Sequence, residues 1–522
     1  AAPGWPFGAF TAGQPVTGLD KVDRGRADVF YANLRSDSHH RPVTTGGRVL
    51  HIVGAGATLA EARAAAYREV DHVSFRGMRY RTDIGLGDSA AAGNIFETTE
   101  STVRSYSRSF PAVFSRAKGD FLYTEDGTGY LDFLSGAGTL NYGHNPESIK
   151  DALLAYVARD GLTHGLDLFT TAKGEFLDAF SRYILAPREL SYKVQFCSPS
   201  GTNAVEAALK LARLVTGRGN IVSFSGSFHG VSTGSLAATG SGFYKQGLHQ
   251  SLPKTTHVPY PDSPLGAFDS LDLLNRLVID PSSGIEKPAA ILLETVQAEG
   301  GVYVAPVEFL RGLRAFCDAQ EILLIVDDIQ AGCGRTGGFF SFERAGIQPD
   351  LVTLSKSIGG YGLPMALLLI KPEYDIWRPG QHNGTFRGNQ LAFVAATAAI
   401  REFWSDGADG AFADDVRRKG ALVAEHLGRH VTEPFAVRSR GLGLMWGIDL
   451  SGTPAVSAGK VSQLCFDRGL VVETCGRNGE VLKILPPLTM SDENLSQGLH
   501  IIARAMRGAV GDGFDGAESN QP

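Results

Sequence analysis

The chain has 522 residues, 43% hydrophobic and 20% charged, which excludes a disordered or collagen-like polymer and predicts several compact units. Forty-nine basic against 55 acidic side chains leave a net charge of −6, not the footprint of a nucleic-acid binder, so any anionic ligand needs a local site. The five cysteines (Cys197, Cys317, Cys333, Cys465 and Cys475) are scattered without a C-x-x-C pair; no disulfide framework or metal site is expected, and a reducing cytoplasm fits.

The opening AAPGWPFGAF has no charged n-region followed by an apolar h-region, so it does not read as a signal peptide. It lacks Met and reads like the middle of a longer sequence. The longest apolar runs, such as Ile322–Val326, fall far short of the roughly 18 residues that span a bilayer. Residues 1–44 are rich in turn-formers. Arg48–Val53 then predicts a strand, and Thr58–Val70 a helix with Thr58 as N-cap and Glu61 closing a capping box. Val73–Arg81 predicts a second strand, and the small, polar Leu86–Asn94 a linker.

Beyond the linker, short apolar strands alternate with amphipathic helices: Ala204–Leu214, Ile221–Phe224, Ala290–Glu294, Glu308–Ala319, Ile322–Val326 and Leu351–Leu354. That alternation predicts an α/β unit with a mostly parallel sheet covered on both faces. From about Phe412 a smaller α+β unit follows, and the tail GDGFDGAESNQP reads as disordered.

Gly332, Gly334 and Gly337 satisfy the G-x-G-x-x-G dinucleotide pattern, yet FFSFERAG does not continue as a helix, so a nicotinamide site is not expected. Four other segments carry more. Ser200-Gly201-Thr202-Asn203 opens an amphipathic helix, whose first-turn N–H groups and dipole suit a phosphate; a plain helix cap is the alternative. ILLIVDDIQ places Asp327 and Asp328 at the carboxyl edge of a strand, facing opposite ways, so one of them meets a ligand. LVTLSKSIGG sets Lys356 among small residues, where a partly desolvated amine can form a Schiff base; a solvated surface lysine is the alternative. Phe228-His229-Gly230 offers an aromatic face, with a structural role as the alternative for His229. Together they describe a site for a planar, phosphorylated aldehyde, the pyridoxal 5'-phosphate arrangement.

At these residues the chain resembles the class III (ω-type) pyridoxal-phosphate aminotransferases, and within them the diaminobutyrate–2-oxoglutarate branch. The resemblance is carried by LDFLSGAGTLNYGHN, THGLDLFTTAK, SGTNAVEAALKLAR, ETVQAEGG, VDDIQAGCGRTG, TLSKSIGGYGLPMAL and HNGTFRGNQ. It implies the fold type I of pyridoxal-phosphate transferases, with a large domain built on a seven-stranded, mostly parallel sheet and a small α+β domain. It also implies residue roles. Lys356 forms the Schiff base and moves the proton, Asp327 meets the pyridine nitrogen, and Gln330 reaches the ring hydroxyl. Ser200, Gly201 and Thr202 hold phosphate, with Phe228 and His229 beside the ring. Thr385 touches the phosphate of a neighbouring subunit, implying a homodimer. Many members carry an arginine for the α-carboxylate where this chain has Lys483, in LKILPPL, with Glu299 opposite. The resemblance implies that Glu299 pairs with Lys483 for ω-substrates and moves aside for glutamate; an ordinary salt bridge is the alternative.

The front segments, TTGGRVLHIVGAGATLAEARAAAYREV among them, are similar to the C-terminal part of phosphoribosylamine–glycine ligase without its ATP-grasp core, implying a small α+β docking or structural module. The expected layout is a ligase-like domain at 1–88, a linker at 89–94 and an aminotransferase at 95–510. Within the last, a small domain (95–150 and 411–510) flanks a large one (151–410), and 511–522 is a tail. The expected reaction passes nitrogen from L-glutamate to L-aspartate 4-semialdehyde. The alternatives are another ω-aminotransferase, acting on ornithine or 4-aminobutyrate, and a ligase-derived assembly protein that uses the aminotransferase part as scaffold.

Overall fold

The computed structural model describes residues 1–2, 12–80, 84, 95–265, 268–408, 410–453 and 456–510. The linker expected at 89–94 and the tail expected at 511–522 lie outside the described residues. The chain divides into two compact units, Ala1–Ser105 and Tyr106–Pro522. The division falls later than the expected linker, so the short helix Ile95–Thr99 belongs with the first unit.

In the first unit, β1 (Ala27–Tyr31) buries Ala27 and Val29, and a hairpin joins β2 (Leu34–Ser36) to β3 (Pro42–Thr44). β1 pairs antiparallel with β4 (Leu50–Gly54), against which α1 (Leu59–Val70) packs. The capping box forms as the sequence predicts. The Glu61 N–H donates to Thr58 Oγ1 at 3.2 Å, and the Thr58 N–H donates to the Glu61 carboxylate at 3.1 Å. Val73–Arg81 is not a strand over its described residues. Ser74 makes a single bridge to Thr17, after which the chain turns at Gly77, with the Met78 N–H donating to the Phe75 carbonyl. Val73 and Phe75 are buried against Val16, Val29 and Val49, so the alternation reports burial of a bend here and no sheet.

The second unit begins its sheets with β5 (Phe114–Lys118), β6 (Phe121–Thr124) and β7 (Gly129–Asp132) in an antiparallel meander. The central sheet follows: β8 (Lys193–Phe196), β9 (Ile221–Phe224), β10 (Thr255–Val258), β11 (Ala290–Leu293), β12 (Leu323–Asp327), β13 (Leu351–Leu354) and β14 (Leu367–Ile370). Its seven strands run in the order β10-β9-β11-β12-β13-β14-β8. All neighbours pair parallel except those of β14, which is antiparallel to both β13 and β8. Every residue of β9, β11, β12, β13 and β14 is buried, as a sheet covered on both faces requires.

The covering helices are α2 (Gly201–Thr216) and α3 (Val307–Ala319) on opposite faces. Leu323 and Ile325 pack in the cluster of α2, whereas Leu324 and Val326 pack in that of α3. The two-residue period therefore assigns Asp327, next in the series Leu323–Ile325, to the α2 face. α4 (Gln390–Phe403) completes the layer on the α3 side.

The C-terminal part of the second unit contains α5 (Ala411–Leu427), β15 (Arg438–Leu442), β16 (Met445–Asp449), β17 (Leu470–Val471), β18 (Glu473–Cys475), β19 (Val481–Ile484) and α6 (Asp492–Val510). Two four-stranded sheets result, β15-β16-β19-β18 and β17-β7-β6-β5. The pairing of Leu470 with Leu131 joins strands from both ends of the unit. Among the described residues no helix is long and apolar enough to cross a membrane. Thr58→Ala removes the cap that starts α1 and should cost the first unit about 1 kcal/mol, read as a lower denaturant midpoint with an unchanged slope.

Candidate active site

A cavity of about 350 Å³ opens at the carboxyl edge of β12 and β13, the edge where α/β enzymes bind ligands. Asp327, the last residue of β12, lines it and is held from three directions. His229 Nδ1 donates to its Oδ2 at 2.7 Å, while Thr353 Oγ1 (3.0 Å) and the Ile329 N–H (3.3 Å) donate to Oδ1. Asp328 points the other way and accepts from the Ser341 N–H at 3.0 Å. Burial pushes its carboxyl up to about 7, and it does not line the cavity. The opposite facing of the two carboxylates follows from strand geometry alone.

Gly201 and Thr202 open α2 on the face that Asp327 shares. The Ser200 hydroxyl donates to Asn203 Oδ1 at 2.7 Å, leaving the first turn without a side-chain cap. Uncapped N–H groups at the positive end of a 16-residue helix form a cradle for an anion. Gly230 has φ +121°, and a β-carbon there would lie 2.4 Å from Thr202 Oγ1, so only glycine lets this backbone pass so close. Phe228 lines the same wall, its ring 5.2 Å from that of Tyr244.

Lys356 stands two positions past the end of β13, after Ser355, and takes φ +53°, a left-handed conformation that costs a residue with a β-carbon about 1–2 kcal/mol. Its Nζ donates to the Ala137 carbonyl at 2.7 Å. Burial pushes the amine down to about 8, against the opposing pull of Glu299. Gly360, with φ +74°, lets the turn press on α4: a β-carbon there would lie 2.6 Å from the Ala395 backbone. Gln330 Nε2 donates to the same Ala137 carbonyl at 2.7 Å and reaches Glu299 Oε1 at 3.4 Å.

Lys483 is wholly buried in the middle of its sheet, and its ion pairs are buried with it. Its Nζ donates to Glu299 Oε1 at 2.5 Å and lies 3.1 Å from Glu473 Oε1. Burial alone would lower the ammonium's pKa, but the two carboxylates outweigh it and hold the group well above its ordinary value. Glu299 is likewise held below the carboxylate range by Lys483 and Lys356 in spite of burial, whereas burial drives Glu473 up.

The cavity thus unites Ser200, Gly201, Thr202, Phe228, His229, Glu299, Asp327, Gln330 and Lys356. Lys483 stands behind Glu299, and Thr385 is exposed and does not line the cavity. Four contributors escaped sequence reasoning: Tyr106, Tyr244, Glu294 and Glu473. Glu294 directly follows β11 and accepts from the Phe228 N–H at 3.0 Å; the strand-end rule that singles out Asp327 applies to it equally. Glu473, the lone acid in LVVETC, signals a buried charge needing a partner.

Comparison with known proteins agrees with this geometry. Residues 102–506 match the family model described as aminotransferase class-III, and residues 1–87 match the phosphoribosylglycinamide synthetase C domain. The diaminobutyrate–2-oxoglutarate transaminase of Streptomyces coelicolor is 52% identical over 416 residues, covering 79% of this chain and 97% of that one. The enzyme of the same name from Bordetella parapertussis is 51% identical over 421 residues, covering 80% and 96%. Among solved structures, ornithine aminotransferase from Toxoplasma gondii ME49 shares the fold at a TM-score of 0.69 and 23% identity, covering 85% of this chain and 98% of that one. N-acetylornithine aminotransferase from Stenotrophomonas maltophilia aligns with a TM-score of 0.60 at 26% identity, covering 76% and 96%. A family model spanning most of the second unit, with relatives about half identical over nearly their whole length, assigns the chain to the class III aminotransferases.

Proposed function

We propose that the protein is a pyridoxal-phosphate-dependent transaminase that moves nitrogen from L-glutamate to L-aspartate 4-semialdehyde, giving 2-oxoglutarate and L-2,4-diaminobutyrate. The observation that carries this reading is the single cavity in which a depressed lysine amine, a strand-end carboxylate, an uncapped helix start and an aromatic wall converge. These groups fit the cofactor, and the orphaned, buried Nε2 of His229 beside Asp327 marks a site built around something further. When bound, pyridoxal phosphate supplies an aldehyde that captures amines and an electron-poor ring that accepts the electron pair released at the substrate carbon.

The chain's own groups do the rest. Lys356 Nζ would bind the cofactor's aldehyde end and would carry the proton to and from the substrate carbon. Asp327, oriented by His229 and Thr353, keeps a proton on the ring nitrogen. Gly201 and Thr202 would hold the phosphate, Phe228 would stand beside the ring, and Gln330 would meet the ring hydroxyl. Glu299, backed by the buried Lys483, would meet the distal end of the substrate. A homodimer is supported by a surface on which Phe169 and Phe386 are largely exposed, with Asn383 Nδ2 donating to Asp167 at 3.3 Å and Thr385 lying between Asn383 and Phe386. Five buried, unpaired cysteines support a cytoplasmic location. Supplying each donor and acceptor to the purified enzyme and weighing the product by mass spectrometry tests the substrate pair.

Only the neutral amine of Lys356 attacks an aldehyde. Cofactor uptake by the apoprotein should therefore rise with pH and level off above about 8, followed by the visible absorbance of the bound cofactor. Lys356→Ala should still bind cofactor while turnover falls by about 10³-fold or more; full activity with cofactor present would remove the assignment. Asp327→Asn should lower turnover by about 10²-fold and loosen the cofactor. Asp328→Asn should instead cost about 1–3 kcal/mol of stability through its buried contact with Ser341. Equal kinetic losses in the two variants would contradict the division of faces. A chain starting at Ile95 should remain an active dimer by light scattering and turnover, since every proposed site residue follows it in sequence; a folded but inactive dimer would tie the first unit to catalysis.

A further inference from the structure

Glu299, Lys483 and Glu473 form a trio of two acids and one base. Glu473 and Lys483 are direct cross-strand partners on β18 and β19, while Glu299 approaches from the segment after β11. Glu473 Oε1 lies 3.1 Å from Nζ without hydrogen-bond geometry, so its influence is Coulombic. Glu299 and Lys483 alone would be a neutral pair. Glu473 brings a second carboxyl group to the same ammonium, and it cannot turn outward because its side chain is 6% exposed within the sheet. Glu299 is the trio's outlet: its side chain is 29% exposed, and both Lys483 and Gln330 donate to Oε1, leaving Oε2 towards the cavity.

The rings of Tyr106 and Tyr244 line the cavity at this end, and both lie within the field of Glu299 and Glu473. An anionic oxygen flanked by aromatic rings is the surrounding that an ammonium group prefers over a neutral or anionic one. We infer that this corner selects, among donors reacting through a terminal amine, those that carry a second ammonium at their far end, and that Glu473 is the positioning residue that shares the charge of Lys483, so that the ion pair does not fully neutralise Glu299. The inference deepens the proposed function and rests on its assignment of Glu299 to the distal end of the substrate. The substrate class so defined is diamines and diamino acids; both L-2,4-diaminobutyrate and its aldehyde partner carry that second ammonium.

The test compares 1,3-diaminopropane with butylamine in single-turnover reactions of the holoenzyme, since the two differ at the far end by an ammonium in place of a methyl group. The unsubstituted enzyme should half-saturate with the diamine at about tenfold lower concentration. In Glu473→Gln that preference should fall to about twofold or less, with the change in half-saturation and not in the limiting rate. Glu473→Asp, which keeps the charge, should restore most of it. No preference in the unsubstituted enzyme overturns the inference without any variant, and so does a preference that survives in Glu473→Gln. An equal rise in half-saturation for both amines would make Glu473 merely structural and overturns it too. Should Glu473→Gln fail to fold, Glu473→Leu, which removes the buried carboxyl group without leaving a polar one, takes its place, and a preference that survives there overturns the inference. An enzyme that prefers the diamine yet does not accept L-glutamate would defeat the substrate pair proposed above and leave this inference standing.

Discussion

Two buried lysines in one site must answer burial in opposite ways, and the rest of the architecture serves that difference. Desolvation disfavours the charged form of both. Lys356, whose nearest hydrogen-bond partner is a carbonyl, yields to it and is pushed down to about 8. Lys483, with Glu299 at 2.5 Å and Glu473 at 3.1 Å, is instead held charged well above its ordinary value. Glu299 links the two, since it lowers its own energy against both ammonium groups. A nucleophile and a fixed cation are thereby obtained from one residue type by choosing where the carboxylates stand.

Placing those carboxylates requires both parts of the second unit. Asp327 ends one strand of the central sheet and Lys356 follows its neighbour, whereas Lys483 and Glu473 come from the sheet β15-β16-β19-β18. Arg335, wholly buried, ties the two together: its guanidinium donates to the Leu444 carbonyl and to Asn141 Oδ1 at 3.0 and 2.6 Å. The carbonyl that holds Lys356, at Ala137, sits in a turn where Gly136 and Ala137 both take positive φ (57° and 56°). The same carbonyl takes Gln330, so one strained turn orients two side chains of the site.

Much of this was legible in the sequence because local rules and global fold agree there. The runs ILLIV and LVTL could be buried strands only if both faces were covered, and their ends then had to be the ligand edge. The alternation within β12 separated Asp327 from Asp328 before any contact was known. What the sequence hid was whatever depends on pairing across distance. Glu473 and Lys483 are ten positions apart and become neighbours only through the antiparallel register of β18 and β19. Tyr106 lies far from every other cavity residue in sequence and carries no motif. Val73–Arg81 misled because a buried bend and a strand can share one alternation, and only backbone hydrogen bonding tells them apart. β1 was missed for the converse reason, lying in a stretch whose glycines and prolines read as loop.

The lysine at 483 also explains why a second acid can stand behind the first. A guanidinium presents a planar fork that engages a carboxylate through both oxygens at once. At this position it would occupy Oε1 and Oε2 of Glu299 together and leave the cavity facing a neutralised pair. An ammonium is a compact charge with three donors in a tetrahedral array, so it meets Glu299 through one oxygen and still lies within contact of Glu473. Its shorter head also fits a site that is fully buried between Gly447 and Glu473 in the register of the sheet. The exchange of arginine for lysine is therefore more than a weaker version of the same contact: it leaves one oxygen of Glu299 outside the ion pair and makes room for a second acid that shares the ammonium's charge.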